Sequence, residues 1–526
     1  MPKVLISDAL SDAAVAIFRE RGVEVDYQPD LGKDKEKLQS VIGRYDGLAV
    51  RSATKVTASA IKAASRLKVI GRAGIGVDNV DIPAATAAGI VVMNTPHGNA
   101  ITTAEHAIAM MFALARQMPQ ANESTHAGRW EKNRFMGVEL YGKTLGIIGC
   151  GTIGSIVAAR AIGLKMRPVA YDPYLTDARA LELGVEKVDL DQLLARADIV
   201  TLHAPLTDQT RNILSAEALA KTRKGVFVIN CARGGLLDEG ALKAGLDSGR
   251  IAGAGLDVFA EEPATHHPLF GHERVVATPH LGASTREAQE NVAIQIAEQM
   301  SEYLMRGAVT NALNMPSITA EEAPRLKPFI RLAELLGLFA GQLTETSVKA
   351  IEVVFAGGVA KLNTKPMTAS AIAGVLRPML AEVNIVNAAL IAKERGIAIA
   401  ETFRDDASNF ESVIRLRIVT ERQDRTVSGA LFGQTARIVE IKGVEMEASI
   451  APHMLYVTNE DKPGFIGALG QTLGAANVNI ATFNLGRSAP GADAIALLGV
   501  DEPVDEATLT RVRALPHVVQ AKALVF

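Results

Sequence analysis

The sequence predicts an α/β protein of doubly wound parallel sheets, continued by an α+β unit and a small βαββαβ sandwich. Three observations carry this expectation. Short apolar bursts alternate with helical patterns from Val4 to Ala277. A strand, a glycine-punctuated turn and a helix follow one another between Leu145 and Tyr171. From Met454 onward the pattern runs strand, helix, strand, strand, helix, strand.

Taken in order, Val4–Ile6, Val23–Tyr27, Gly47–Val50, Val69–Ile70 and Val91–Met93 read as strands. Ser11–Arg19, Lys33–Ile42, Ala58–Ala64 and Pro83–Ala88 read as the helices between them, with Ser11 as an N-cap. Repeated βα units imply a parallel sheet with helical cover. Ligands of such sheets lie beyond the carboxyl ends of the strands. There the sequence places Arg51 and Ser52, then Arg72 and Gly74, then Asn99. A lone arginine at a strand end is more commonly a surface ion pair; its recurrence makes an anion site the competing reading.

Asn99–Arg116 reads as a long helix leading into the next unit, with His106 a satisfied helix residue. Gly128–Phe135 is basic and holds the only tryptophan, so it suits a solvated surface and a subunit interface equally. Next come Leu145–Gly149 as a buried strand and the G-x-G-x-x-G turn of Gly149, Gly151 and Gly154. In that pattern the first glycine makes the turn, the second admits a pyrophosphate, and the third lets helix and strand close up. The helix opening at Ile153 would offer free N–H groups to the phosphates. Asp172, about twenty residues on, suits the adenosine ribose hydroxyls and would repel a 2′-phosphate, which favours NAD over NADP. This is a Rossmann-type signature.

Further strands then exit at His203–Pro205, Asn230–Gly235, Asp257 and Thr278–Ala283, so groups distant in sequence meet on one face. Moving a hydride between a hydroxy acid and a nicotinamide needs a base, and His280 is the candidate because imidazole titrates near neutrality. Glu262 would fix its tautomer, and Arg233 would hold a substrate carboxylate. His266, His267 and His272 lie in a loop without a matching acid at a strand exit and read as surface. Cys150 and Cys231, the only cysteines, read as small apolar fillers in a reducing, cytoplasmic setting.

GRAGIGVDNVD at Gly71–Asp81, GCGTIG, NCARGGLLDEGAL at Asn230–Leu242, GLDVFAEEP and TPHLGAST at Thr278–Thr285 resemble the D-2-hydroxyacid dehydrogenases. The resemblance is dense over residues 1–315. It implies a Rossmann-type domain inserted in a flavodoxin-like, discontinuous substrate domain, with Arg233, Glu262 and His280 as the catalytic trio. It implies NAD contacts at Ile75, Thr152, Ile153, Asp172, Ala204, Cys231, Ala232, Asp257, Gly282 and Ala283, beside the fingerprint glycines. It implies substrate contacts at Arg51, Ser52, Arg72, Gly74 and Asn99, with Lys132 or Arg134 delivered from a dimer partner.

Beyond Met315, Leu326–Leu343 and Ala369–Glu394 read as helices, and Val348–Phe355, Val413–Val419 and Thr426–Val444 as strands. Arg437 and Lys442 there read as solvated charge in preference to an anion site. This stretch resembles the intervening domain of the long members of the family. The last stretch is a ferredoxin-like sandwich and resembles an ACT domain, which implies an effector amino acid, L-serine, gripped by Asp461 and Asn479 between two such domains. The expected partition is 1–98 and 291–315 for the substrate domain, 99–290 for the nucleotide domain, 316–451 for the intervening domain and 452–526 for the ACT domain.

The sensing tail and the arginines near Arg51 favour oxidation of 3-phospho-D-glycerate to 3-phosphooxypyruvate over reduction of glyoxylate, hydroxypyruvate or another 2-hydroxy-acid partner. An NAD(H)-sensing, corepressor-like binding protein would keep the same motifs. At 526 residues, 48% hydrophobic, 21% charged and net charge −3, the composition gives no reason to expect nucleic acid as a partner. No leader-like start and no run of about 18 uncharged apolar residues argue against a membrane partner. A homodimer or homotetramer without a metal is expected.

Overall fold

The computed structural model describes residues 1–407 and 409–526. Its first sheet has five parallel strands in the order Glu24–Tyr27, Lys3–Ile6, Gly47–Val50, Val69–Arg72, Val91–Asn94. This is the flavodoxin-like order. Val4, Leu5, Ile6, Leu48, Ile70 and Val92 are fully buried, as a parallel sheet covered on both faces requires. Because the strands are parallel, Arg51, Arg72 and the turn after Asn94 emerge along one edge.

The second sheet has seven parallel strands in the order Val275–Ala277, Ile251–Leu256, Val226–Asn230, Ile199–Leu202, Thr144–Ile148, Arg167–Tyr171, Glu186–Lys187. The order reverses at Thr144–Ile148, the switch point where a Rossmann-type sheet takes its ligand. Helix Ala100–Ala115 carries the chain across from the first sheet to the second. A further helix not expected from the sequence, Met118–His126, follows after Gln117 turns through a left-handed φ of 49°.

The chain crosses back along helix Arg286–Arg306, which lays Val292, Ile296 and Met300 on the first sheet. The approach is close enough that a Cβ at Gly71 would stand 2.2 Å from the Met300 sulfur. Asn314 then secures the returning chain: its Nδ2 donates to the Ile90 carbonyl at 2.8 Å and its Oδ1 accepts from the Val92 N–H at 2.9 Å.

The third sheet orders Ala398–Arg404, Val348–Gly357, Ser412–Thr420, Asp424–Phe432, Thr435–Ile441 and Val444–Ser449; all neighbours are antiparallel except the first pair. Helices Ala323–Gln342 and Lys365–Leu376 meet backbone to backbone, since a Cβ at Gly337 would lie 2.3 Å from the Ala371 carbonyl oxygen. The single helix expected over Ala369–Glu394 is two, Lys365–Leu376 and Ala388–Glu394. Pro378 stands in the break, and Asn384 and Asn387 hold the connection by accepting backbone N–H bonds from Val386 and Asn384.

The fourth sheet orders Ile480–Arg487, Asp493–Val500, His453–Glu460 and Val518–Val525, all antiparallel, with helices Phe465–Ala475 and Glu506–Arg513 on one face. This is the expected ferredoxin-like arrangement. Its opposite face packs on helix Ala323–Gln342, where Phe339 meets Tyr456 edge-on at 5.9 Å. Among the described residues no helix is long and apolar enough to cross a membrane.

Candidate active site

The three fingerprint glycines have different reasons to be glycine. Gly149 sits at φ 89°, and a Cβ there would lie 2.7 Å from the His203 carbonyl group. A Cβ at Gly154 would lie 2.1 Å from the Gly149 oxygen. Both are demanded by the fold itself. Gly151 has no protein atom within 4 Å of its Cβ position, and it caps helix Thr152–Gly163 without a side-chain bond. The N–H groups of Thr152 and Ile153 therefore face an open approach at a positive helix end, which fits a pyrophosphate. Asp172 accepts from the Cys150 and Tyr174 N–H groups, both at 2.8 Å, leaving lone pairs for ribose hydroxyls. These residues fit a dinucleotide.

Arg233 is held in a strand-exit loop built by Asn230, whose Nδ2 donates to the Arg233 carbonyl at 2.9 Å and whose Oδ1 accepts from Ala232 at 3.1 Å. Gly234 lets this loop pass the Phe259 carbonyl, which a Cβ would meet at 1.8 Å. The Arg233 Nε donates to Asp78 at 2.9 Å, across from the first lobe. On the facing loop the two oxygens of Glu262 divide their work. Oε1 accepts from the Phe259 N–H at 3.0 Å, and Oε2 pairs with His280 Nδ1 at 2.7 Å. That contact assigns the proton to Nδ1 and leaves Nε2 free to act on a substrate.

His280 has a left-handed φ of 55°, an unfavourable conformation for a non-glycine residue. Asp257 holds it there. Expected at the cofactor, Asp257 is fully buried, and its Oδ1 accepts from Thr278 Oγ1 at 2.6 Å and Leu281 N–H at 2.7 Å. Its Oδ2 accepts from Gly282 N–H at 2.8 Å. Burial opposes ionisation, yet these bonds with that from His106 hold the carboxyl below its ordinary range. Cys231 and Ala232 line the Arg233 loop and Ala283 follows Gly282, while Ala204 leaves the strand beside Gly149.

From the first lobe come Arg51 and Arg72. Burial, then the charges of Arg233 and Arg51, push Arg72 down to about 10. Three guanidiniums from two lobes thus converge without enough counter-charge, an arrangement suited to a multiply charged anion. Gly74 makes room for Arg72 and Gly76 for Arg233, since a Cβ at either would collide with the guanidinium at 1.5 Å. Asp8 and Asn79, which the sequence reading left without a role, shape the Arg51–Ser52 loop. Asp8 accepts from the Arg51 and Thr54 N–H groups at 2.6 and 3.1 Å, and Asn79 donates to both their carbonyls. Asn99 is buried with an unpartnered Oδ1, and the Ile75 carbonyl is held by Asn94 at 2.7 Å.

Other expected positions lie elsewhere. Lys132 and Arg134 are on an exposed loop, where Arg134 pairs with Glu131 at 3.1 Å. Asp461 accepts from Arg487 and Gly491 at one end of strand Ile480–Arg487, whereas Asn479 donates to Asp501 at the other. At ~3.3 Å per residue that strand separates them by roughly 20 Å, so one domain cannot bring both to a small ligand. His267 corrects the reading of a bare surface loop: it pairs with Glu239 at 3.0 Å and packs on Phe259 and Phe270. The sequence concealed this because Glu239 sits at a helix start, not at a strand exit. Burial raises both thiols, Cys231 also through Asp257 and Cys150 through Asp172, which suits inert fillers.

Residues 108–282 match the NAD-binding domain of D-isomer-specific 2-hydroxyacid dehydrogenases, 325–442 the D-3-phosphoglycerate dehydrogenase intervening domain and 453–517 the ACT domain. The D-3-phosphoglycerate dehydrogenase of Synechocystis is 42% identical over 515 residues, covering 97% of this chain and 92% of that protein. That of Bacillus subtilis is 40% identical over 528 residues, covering 100% and 99%. Among solved structures, a glyoxylate reductase from Paecilomyes thermophila superposes with a TM-score of 0.55 at 31% identity, over 59% of this chain and 98% of that one.

Two expectations follow from this geometry. Gly151→Ala should keep the parent's melting temperature but weaken NADH binding about tenfold or more, as read by fluorescence titration. His203, whose Nδ1 is enclosed without a partner, is pushed down to about 4 by desolvation. Its folded pKa lies below the unfolded value near 6.5, so the stability it confers is complete above that value and is lost as pH falls toward 4. His203→Gln should flatten the dependence of urea midpoint on pH across that window.

Proposed function

Since the chain belongs to the D-3-phosphoglycerate dehydrogenases within the D-isomer-specific 2-hydroxyacid dehydrogenases, we propose that it oxidises 3-phospho-D-glycerate to 3-phosphooxypyruvate, the opening step of L-serine biosynthesis. What supports this reading is the convergence of Arg233 with the first-lobe guanidiniums of Arg51 and Arg72, together with the Glu262–His280 pair. Gly151, the Thr152–Ile153 helix start and Asp172 hold NAD, which supplies the hydride acceptor when bound. His280 Nε2 takes the proton of the C2 hydroxyl while Glu262 stabilises the imidazolium. Arg233 leaves Asp78 for the substrate carboxylate and polarises the reacting oxygen. Arg51, Ser52, Arg72, Gly74 and Asn99 receive the remainder of the substrate, and Lys132 or Arg134 of a second copy approaches its phosphate. The protein works as a cytoplasmic homodimer or homotetramer. L-serine binds between two ACT domains, gripped by Asp461 of one copy and Asn479 of the other.

Steady-state rates with 3-phosphoglycerate, glycerate and lactate test the substrate; preference for either unphosphorylated acid rejects it. His280→Ala should lower kcat by on the order of 10²–10⁴ while NADH affinity stays within twofold. Retained turnover would remove His280 from the mechanism. Asp461→Ala should raise the serine concentration for half-inhibition at least tenfold, measured against that variant's own uninhibited rate; an unchanged curve rejects the effector assignment.

A further inference from the structure

A small cavity lies where strands of the third sheet, helix Ala323–Gln342 and the fourth sheet meet. It is lined by Phe339, Leu343, Val427 and Ile441 together with four polar residues, Arg425, Thr426, Lys442 and Tyr456. Arg425 is 4% exposed, and neither its Nε nor its Nη1 donates to any protein group. Tyr456 is 0% exposed, and its hydroxyl is also without a partner. Lys442 stands at the more exposed rim with a left-handed φ of 48° and, among the described residues, no ion pair. Glu345 and Asp493 attract these cations only through space: Glu345 is paired with Lys522 at 3.2 Å, and among the described residues neither carboxylate bonds Arg425 or Lys442.

A buried, unpaired guanidinium is strongly unfavourable, and a second cation nearby makes it more so. Burial and the neighbouring Arg425 charge depress the Lys442 ammonium, and burial pushes Tyr456 up to about 12. Cationic donors dominate the lining, with the Thr426 and Tyr456 hydroxyls as its side-chain acceptors. A single water has two lone pairs and so cannot accept from all the unpartnered donors, nor can it offset the positive charge. The cavity has room for about one small sphere and too little for phosphate, sulfate or a carboxylic acid.

We propose that this cavity is a binding site for a monatomic monovalent anion, chloride, held by Arg425 and Tyr456 and covered by Lys442. Its lining shares no residue with the catalytic loops or with Asp461 and Asn479. An anion there neutralises the seam between the intervening and ACT domains and so ties their docking to the halide.

The test uses the full chain, melted at fixed ionic strength in sodium chloride, sodium bromide and sodium gluconate, whose anion is too large to enter. Both halides should raise Tm along a saturating curve and gluconate should not, and Arg425→Met should abolish the difference. If Arg425→Met does not fold, Lys442→Met at the rim should shift the halide midpoint to higher concentration. Crystals soaked in bromide should show an anomalous peak within hydrogen-bond distance of Arg425 and Tyr456. Equal melting curves in chloride and gluconate, a halide response unchanged in the variants, or a water without anomalous signal at that position would each overturn the proposal.

Discussion

A carboxylate sealed from solvent can remain ionised only where enough donors surround it, and Asp257 is surrounded on every side. Two backbone N–H groups, a threonine hydroxyl and a helix histidine converge on it. Their combined pull folds the Thr278–Gly282 turn around the carboxylate and holds His280 at a backbone angle it would not otherwise adopt. The imidazole is thereby aimed at Glu262, and Glu262 is aimed in turn by the Phe259 N–H. The Glu262–His280 pair is thus pre-positioned by a carboxylate that bonds neither of the two side chains.

The opposite side of the site is organised by repulsion. Arg51, Arg72 and Arg233 are gathered from two lobes, and glycines at 74 and 76 leave the guanidiniums room. Asp78 answers one of them across the lobe boundary. A multiply charged anion would relieve the remaining charge, so that electrostatic relief and recognition would be the same event.

The strand–turn–helix units, the glycine turn and the ferredoxin-like tail were legible because each leaves a local signature in period or spacing. The Glu262–His280 pairing and the strand-exit position of Arg233 were legible because these residues stand at or just beyond strand ends. Asp8, Asp78 and Asn79 were not, since their partners lie across a loop or across the lobe boundary, and no local pattern announces such contacts. Strand Ala398–Arg404 escaped notice because all seven residues are exposed and show no alternation to read. The roughly 20 Å between Asp461 and Asn479 follows from which end of the sheet each loop occupies, a property of topology that residue type does not encode.

The two catalytic lobes are joined twice, by the chain entering at Ala100–Ala115 and by the chain leaving at Arg286–Arg306. A body held at one point can twist freely, whereas a body held at two can only swing about the line between them. Two crossings therefore leave the lobes fewer ways to move against each other than a single tether would.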